Sequence, residues 1–325
     1  MEEKRTIYYK IVQSIRGLRH EDDLDVKLMR ELASPGSFRW DVRESYSTIA
    51  KKLGVDEETV RKRLKRAQLA GVLEGFHLIP NPHLFRMESS AIELEIDDEA
   101  RKPGVVSQIA LLEGVVLIVD FHGRQLRAVV YHESEQALAR KIQLVSSMCA
   151  SRSEIHWTEG FPPCKVRMKE TDWLILRSLR KEAKKRLVDV AAEVQISTRT
   201  VKRRFEDMIE GNAFYLMPIT SYERSAVVTC SYTVDCPNDR LKRAADLSIK
   251  SLLQRIVFSN TSAKRYSVFS VLCNNFGEAE SIRKEIARVE GVKGVKLGVV
   301  KKIFFVSDWL DERIEREISQ ASPAS

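Results

Sequence analysis

The sequence predicts an α+β protein in which two helix-turn-helix units alternate with two βαββαβ units. The first observation is a helix, a tight turn and a cationic helix over residues 45–76. The second is the order β-α-β-β-α-β over residues 89–158. The third is that both patterns recur, because residues 190–201 match residues 49–60 at an offset of 141 residues. A chain of 325 residues is long enough for about two domains of ~150 residues each.

Two helices are predicted before the first helix-turn-helix unit. The amphipathic pattern of residues 5–18 fits either a dimer contact or a lid on the first domain. Leu24, Leu28 and Leu32 place the next helix at residues 24–32, and Ser-Pro-Gly-Ser at residues 34–37 ends it. A loop carrying Trp40 then leads into the unit.

The segment 45–76 carries the most specific local pattern. Gly54 can supply the tight turn, because glycine adopts φ > 0 without a Cβ clash, and Asp56 is a good N-cap for the second helix. The expected buried faces are Ile49, Ala50 and Leu53 in the first helix and Val60, Leu64 and Ala67 in the second. The second helix therefore has one apolar face, which packs on the protein, and one cationic face, which is exposed. A helix of this kind fits the major groove of DNA. A solvated charged helix on any globular domain is the alternative.

The residues predicted to contact DNA follow from helical angle and from nearness to the helix N-terminus. Recognition helices read bases mainly with their N-terminal residues, and later basic residues usually reach phosphates. The base-edge candidates are Thr59, Lys62, Arg199 and Arg203. The whole predicted set is Glu58, Thr59, Arg61, Lys62, Arg63, Lys65, Arg66, Arg199, Thr200, Lys202, Arg203 and Arg204. Because Glu206 and Asp207 stand where the first helix has Lys65 and Arg66, the second unit either contacts DNA more weakly or is a structural partner.

A strand follows each helix-turn-helix. Residues 72–79 alternate loosely and end at Pro80-Asn81-Pro82, which predicts a β-ribbon wing, and residues 212–218 are the second wing. The βαββαβ order of the segments between them is that of a ferredoxin-like fold. The predicted segments are an N-terminal helix (1–22), winged helix-turn-helix 1 (23–86), ferredoxin-like domain 1 (87–160), a linker (161–169), winged helix-turn-helix 2 (170–222), ferredoxin-like domain 2 (223–307), and a C-terminal helix and tail (308–325).

Composition narrows the class of partner. The formal charge of +8 and the pI of about 9.2 favour a polyanion, most simply nucleic acid, or an anionic membrane surface. No apolar run approaches the ~18 residues of a membrane span, and the N-terminus lacks the apolar core of a signal peptide. The five cysteines show no Cys-x-x-Cys spacing and indicate reduced thiols in a cytoplasmic, DNA-associated protein. No histidine pair has ligand spacing on a helix, so no metal and no cofactor is predicted.

The first helix-turn-helix and the strand after it resemble the Lrp/AsnC (feast/famine) family of prokaryotic transcriptional regulators. The matching residues are Ile49-Ala50, Gly54-Val55, Val60-Arg61-Lys62-Arg63-Leu64, Gly71-Val72-Leu73-Glu74-Gly75-Phe76, Asn81-Pro82 and Leu84. The resemblance implies winged helices linked to ferredoxin-like effector modules that pair through their sheets. It also implies double-stranded DNA as a partner, and we expect the chain to be tandemly duplicated.

The resemblance further implies a small-molecule effector, which would bind between the ferredoxin-like modules near Gly123 and Arg124. The family's Gly-x-Tyr-Asp is reduced here to Gly123, followed by Arg124, Gln125 and Leu126, which puts an amino-acid effector in doubt. The two modules are expected to form an intrachain pseudo-dimer by burying an apolar sheet face, such as that of Ile92, Leu94 and Ile96. Pairing between chains is the alternative, and a homodimer or a higher oligomer stays open.

Two other classes of protein compete with a DNA-binding regulator. Relatives of the fold include sirohaem decarboxylases, so an enzyme is one alternative. The sequence lacks the clusters of histidine and aromatic residues that such a site needs, and it contains no paired carboxylates, nucleophile elbow or phosphate loop. A small-molecule sensor without specific DNA binding is the other alternative.

Overall fold

The computed structural model describes residues 23–33, 45–150, 154–180, 182–225, 227–253 and 255–321. The predicted helix at residues 5–18, the Trp40 loop and the last four residues of the tail lie outside these ranges. No helix in the described part of the chain is both long enough and apolar enough to span a membrane.

The elements of the first half follow the predicted order. They are α1 (Asp23–Ala33), α2 (Tyr46–Leu53), α3 (Glu57–Leu69), β1 (Leu73–Pro80), β2 (Glu88–Glu95), α4 (Lys102–Ala110), β3 (Val115–Phe121), β4 (Gln125–His132), α5 (Glu135–Cys149) and β5 (Glu154–Glu159). The helix-turn-helix is α2 and α3, with α1 packed behind it.

The second half repeats this order and adds a terminal helix. Its elements are α6 (Glu170–Arg180), α7 (Leu187–Glu193), α8 (Thr198–Glu210), β6 (Phe214–Thr220), β7 (Val228–Asp235), α9 (Asp239–Leu252), β8 (Ile256–Asn260), β9 (Tyr266–Cys273), α10 (Phe276–Ala287), β10 (Gly294–Phe305) and α11 (Asp308–Ala321). The predicted fold class, helix-turn-helix units with ferredoxin-like modules, is confirmed.

Short capping interactions fix the two recognition helices. The carboxylate of Asp56 accepts a hydrogen bond from the backbone N–H of Thr59 at the start of α3, and the hydroxyl of Ser197 does the same for Thr200 at the start of α8. Gly54 takes φ of 69° in the turn before α3, which is the left-handed region that glycine adopts without strain. The predicted N-caps and turn glycine are therefore present.

The strands that follow the two helix-turn-helix units pair with each other. β1 and β6 form an antiparallel two-stranded ribbon, with Leu78 opposite Leu216. The prediction of a separate wing on each unit was wrong. A wing needs two strands from one unit, but after Asn81-Pro82 the chain passes through a short 3-10 turn into β2, which belongs to another sheet. The only described strand that pairs with β1 therefore comes from the other half of the chain.

The two ferredoxin-like modules form one eight-stranded sheet in the order β5-β2-β4-β3-β10-β7-β9-β8. The junction is the antiparallel pair of β3 and β10, where Val119 lies opposite Ile303. The sheet curls, so that its two outer strands also meet: the Asn260 amide donates to the Glu159 carboxylate at 2.9 Å. The two modules of one chain thus contact each other both edge to edge and face to face.

The sheet faces do not carry the roles that the sequence predicted. Ile92, Leu94 and Ile96 pack beneath the module's own helices α4 and α5, in one core cluster. The opposite face meets the other module, and it is partly polar. There Arg127 of β4 donates to Ser231 and Thr233 of β7 at 3.1 and 3.0 Å. The predicted contact between modules is present, but a different face makes it, because the helices of a ferredoxin-like module cover its more apolar face.

A buried lysine in each module marks the repeat. The Lys102 ammonium, at the start of α4, donates to the carbonyls of Phe121 and Gly123 in the β3–β4 hairpin. The Lys242 ammonium, in α9, donates at 2.7 Å to the carbonyl of Thr261 after β8. Both lysines are less than 5% exposed. In each module a buried lysine therefore connects the first helix of that module to the corresponding hairpin of its own sheet.

The two helix-turn-helix units are anchored differently. The buried stripe of α8, Val201, Phe205 and Met208, belongs to a large core that also contains residues of α6, α11, β3 and β10. The α3 residues Val60 and Leu64 instead share a small separate core with α1 and α2. The second unit is thus continuous with the body of the protein, whereas the first is a smaller body held by α1 and the ribbon.

Candidate nucleic-acid interface

The outer faces of α3 and α8 carry most of the residues predicted to contact DNA. Glu58, Arg61, Lys62, Lys65 and Arg66 are exposed on α3. Arg199, Lys202 and Arg203 are exposed on α8. Both helices bury the opposite stripe, so the capped N-termini and the turns before them fix which side faces solvent.

Several of these cations are held by acids on the same helix. On α3, Arg61 Nη2 lies 2.6 Å from a Glu57 carboxylate oxygen, and Lys62 Nζ lies 3.7 Å from Glu58. On α8, Lys202 and Glu206 are 4.0 Å apart. These pairs are exposed and are worth little in water, so their side chains can exchange the acid for another anion.

Of the exposed cations predicted to contact DNA, three are without a carboxylate partner in the described part of the chain: Lys65 of α3 and Arg199 and Arg203 of α8. Arg199 lies in the first turn of α8, where side chains of a recognition helix reach base edges. The charge available to an external polyanion is therefore highest at the N-terminal half of α8 and along the middle of α3.

Three of the predicted DNA-contacting arginines bind an aspartate behind their helix, and one of them, Arg66 of α3, is itself exposed and shares Asp25 with Arg63. Arg204 of α8 donates to both carboxylate oxygens of Asp172, which is fully buried in α6, with Nε to Oδ1 at 2.6 Å. Arg63 of α3 donates to Asp25 of α1 at 2.8 Å. Hydrogen bonding to Asp172 also raises the pKa of Arg204. Arg63 and Arg204 brace α3 and α8 against the helices behind them, and the prediction that these two arginines meet phosphates does not fit this geometry.

The two predicted threonines also have internal partners. The Thr59 hydroxyl donates to the Asp56 carboxylate at 2.8 Å, and the Thr200 hydroxyl lies 2.9 Å from that of Ser197. The bonds from Thr59 lower the pKa of Asp56. Both threonines are half-buried, so they hold the start of each recognition helix and leave only their methyl groups for a neighbouring surface.

The two helix-turn-helix units approach each other beside the ribbon. The ammonium of Lys184, in the loop between α6 and α7, lies 4.0 Å from the ring centre of Phe76 and 5.8 Å from that of Tyr46. Arg61 lies over the same Tyr46 ring at 5.3 Å. A cation from the second unit therefore packs on aromatic rings of the first, which links the two candidate DNA-binding surfaces.

The residues predicted to bind an effector both have partners inside the protein. Arg124 is exposed and pairs with Glu95 at 2.5 Å. The Gly123 carbonyl is already bound by the Lys102 ammonium at 2.6 Å. The Gly123 carbonyl and the Arg124 side chain are thus both bound by charged side chains of the protein itself.

Among the residues that the structure describes, neither the thiols nor the acids and histidines form a recognisable metal centre. All five cysteines are free thiols, and burial raises the pKa of Cys149 to about 11, so that thiol is protonated at neutral pH. In the described ranges no group of three or more His, Cys, Asp or Glu side chains is placed to hold a metal ion.

The class of protein is defined by two capped helix-turn-helix units that are carried on a pair of ferredoxin-like modules. No protein-family model matches the chain. An uncharacterized HTH-type transcriptional regulator of Pyrococcus horikoshii is 32% identical over 97 residues, which are 29% of this chain and 61% of the relative. The HTH-type transcriptional regulator LrpA of the same organism is 45% identical over 42 residues, which are 13% of this chain and 30% of the relative.

The chain therefore spans less than two thirds of the length of these relatives. Their names confirm the predicted resemblance to HTH-type transcriptional regulators of the Lrp/AsnC kind. The crystal structure of the siroheme decarboxylase NirDL superimposes with a TM-score of 0.52 at 14% identity, covering 92% of this chain and 99% of that chain. At that identity the likeness shows a shared fold over almost the whole chain and nothing about activity.

Proposed function

We propose that this chain is a sequence-specific DNA-binding transcriptional regulator of the Lrp/AsnC type, with α3 and α8 in the major groove. The observation that carries the proposal is that the basic residues of each recognition helix divide into those bound inside the protein and those exposed to solvent. On each helix an arginine, Arg63 or Arg204, is bound to a buried or half-buried aspartate behind the helix, while its basic neighbours are exposed, including Arg66, which also reaches Asp25. A charged helix without a function in binding would not need such bracing, whereas base readout requires a helix held in a fixed orientation.

The exposed residues take two roles in this proposal. Lys62, Arg199 and Arg203 lie near the N-terminal half of their helices and read base edges, for which bidentate arginine on guanine is the commonest specific contact. Arg61, Lys65, Arg66 and Lys202 lie at the flanks or farther along and meet phosphates, which set affinity and its dependence on salt. Glu58, which pairs with Lys62, limits the set of bases that Lys62 can approach.

The operator in this proposal is an imperfect palindrome. The two helices differ at Glu58 and Arg199, which occupy equivalent positions, and again where Lys65 and Arg66 are replaced by Glu206 and Asp207. Two related but unequal readers fit two related but unequal half-sites. Half-sites of paired helix-turn-helix units lie about one helical turn, ~34–36 Å, or a multiple apart.

The sirohaem decarboxylase alternative has less support from the site. The cavity between the two sheets is about 170 Å³, whereas pockets for drug-sized ligands run to ~300–1,000 Å³, and a tetrapyrrole is at least of that size. Arg127 is the one cationic side chain among the described residues that line it, and it is held by Glu93. A tetrapyrrole with several carboxylates needs more cations than this.

The test is a selection of DNA from a random pool, followed by gel shifts with the protein's own promoter and unlabelled competitor DNA. Lys62→Ala and Arg203→Ala are then measured against the selected site and its point variants. Each base-reading side chain should contribute ~1–3 kcal/mol of discrimination at one base pair. Lys65→Ala is the control for a phosphate contact: it should weaken every sequence alike and lower the salt slope by about one unit.

Three outcomes count against parts of this proposal. Failure of the selection to enrich any sequence removes specific DNA binding. An equal loss for every point variant removes base reading by Lys62 and Arg203. If Arg203→Ala changes neither affinity nor discrimination, the second helix-turn-helix is structural and the chain grips DNA through α3 alone.

A further inference from the structure

A cavity of about 170 Å³, partly open to solvent, lies where the two sheets face each other beneath the ribbon. Its walls come from both modules and from the segments that carry the first helix-turn-helix unit. An engineered apolar cavity of ~150 Å³ stays dry and binds benzene. A ligand here therefore has roughly six to ten non-hydrogen atoms.

Module 1 (β2–β5) and module 2 (β7–β10) both line the cavity with mainly apolar side chains and a few polar ones. Module 1 contributes apolar side chains, among them Leu117, Val129 and Trp157. Module 2 contributes the hydroxyls of Thr229 and Ser270, and in the described part of the chain neither has a hydrogen-bond partner. An apolar body with one polar end fits such a cavity, because a few placed polar groups orient a ligand that is otherwise held by apolar contact.

The charged groups at the cavity are already compensated. Arg127 is bound by Glu93 at 2.5 Å and by Ser231 at 3.1 Å. Glu159 accepts hydrogen bonds from Ser89 at 2.7 Å and from Asn260 at 2.9 Å, and its burial raises its pKa. A bound carboxylate would find no free cation here, and burying an unpaired charge is costly. The cavity is therefore suited to a neutral ligand and not to a free amino acid.

The cavity also touches the parts that hold the first helix-turn-helix unit. Met29 of α1, Val72 just before β1, and Ser221 and Tyr222 just after β6 all line it. Val26, one turn from Met29 on α1, packs against Val227 and Leu272 of module 2. Because the first unit has its own small core, these contacts are where a ligand can bias its position.

We infer that the cavity between the sheets is a binding site for a small neutral molecule with an apolar body and one hydroxyl, carbonyl or amide group. Its ligand acts as the effector of the regulator by setting the position of α1 and the ribbon. The binding site stands on the cavity alone, whereas the effector role rests on the proposed function.

The experiment uses the full chain labelled with 5-fluorotryptophan and followed by ¹⁹F NMR. The probes are benzyl alcohol and toluene, with benzoate as the charged control of matching shape. Both neutral probes should shift the signal of Trp157, which is assigned with Trp157→Phe. The signals of Trp173 and Trp309, which do not line the cavity, should stay in place, and benzoate should shift none of them.

Two variants separate the cavity from the protein surface. Ser270→Phe fills the cavity and should abolish the shift, while Ser248→Phe places the same ring on the exposed face of α9 and should not. The double variant Thr229→Val/Ser270→Ala removes both hydroxyls with little change in shape. It should weaken benzyl alcohol roughly fivefold, which corresponds to one net hydrogen bond, and leave toluene unchanged.

Each outcome supports or overturns one part of the inference, the binding site or the effector role. No shift of Trp157 with either neutral probe overturns the binding site, as does an equal response to benzoate. If the probes bind and change the affinity for the selected DNA, the effector role is supported, because coupling between sites is reciprocal. If they bind and leave a measurable DNA affinity unchanged, the effector role is overturned. If the protein binds no DNA in either state, the proposed function fails and the site remains.

Discussion

Replacing Arg204 tests whether the second recognition helix is braced from behind. Arg204 binds both oxygens of Asp172, and the Asp172 side chain is 0% exposed while that of Arg204 is 13% exposed. Arg204→Gln leaves a buried carboxylate with one remaining partner, the backbone N–H of Lys169 at 2.7 Å. Breaking a buried pair by removing one member costs ~3–5 kcal/mol, and because the Lys169 bond survives we expect about 3 kcal/mol.

That loss can be read as a change in melting temperature. The entropy of unfolding is ~2.1 cal/mol/K per residue, which gives about 0.7 kcal/mol/K for a chain of 325 residues. A loss of about 3 kcal/mol should therefore lower the melting temperature by roughly 4 °C. The assay is thermal unfolding by circular dichroism, with Arg203→Gln as the control on the adjacent, exposed residue. Arg203→Gln should leave Tm unchanged and weaken DNA binding. An unchanged Tm for Arg204→Gln, together with a lower salt slope for DNA binding, would show that Arg204 contacts phosphate and refute the brace.

Three further predictions concern the ribbon, the sheet and the interior. A Cβ on Gly298 of β10 would lie 2.6 Å from the Phe121 ring across the β3–β10 junction. Gly298→Ala should therefore lower the unfolding free energy measured in urea by ~1–3 kcal/mol. Gly294→Ala at the start of the same strand is the control, because the space around it is open, and it should not lower that free energy. Burial raises the pKa of Glu159, so the folded state holds that proton more tightly and stability falls as pH rises from the ordinary glutamate range through the raised pKa. Glu159→Gln should therefore flatten the loss of stability as pH rises above the ordinary glutamate range, and an unchanged pH profile would contradict it. Asn81 donates to the carbonyls of Pro162 and Asn212 at 3.0 and 2.8 Å from within the core, so Asn81→Ala should lower the unfolding free energy by ~1–3 kcal/mol, measured against the exposed Asn274→Ala.

The sequence predicted the features that depend on local order. Helix periodicity, the Ser197 and Asp56 caps and the turn at Gly54 are each decided within a few residues, so both helix-turn-helix units and both βαββαβ modules came out in the right order. The match between the two halves was equally visible, because it compares residues directly.

The features that depend on distant partners were missed. A period of two tells the two faces of a strand apart, but it does not say which face meets helices and which meets the other module. For the same reason β1 could be recognised as a strand while its partner β6, over 130 residues away, could not. The assignment of Arg63 and Arg204 to phosphates considered only their angle on the helix.

Two signals in the sequence could have corrected this. Asp25 and Asp172 occupy equivalent positions in the helices before the two helix-turn-helix units, as Arg63 and Arg204 do in the recognition helices. A charge pair repeated in both halves indicates an internal ion pair. Lys102 and Lys242 are likewise equivalent lysines in helices that pack on a sheet, and such a repeat favours a buried structural cation over a surface one.

Hydroxyl-radical footprinting on a selected operator, at a measured stoichiometry of chains to DNA, tests most directly whether one chain reads two half-sites of DNA with two unequal recognition helices. We expect two protected stretches about one helical turn or a multiple apart, with Lys62→Ala weakening protection mainly in one and Arg203→Ala mainly in the other. A single protected stretch that responds to Lys62→Ala alone, or no protection that survives competitor DNA, would contradict it.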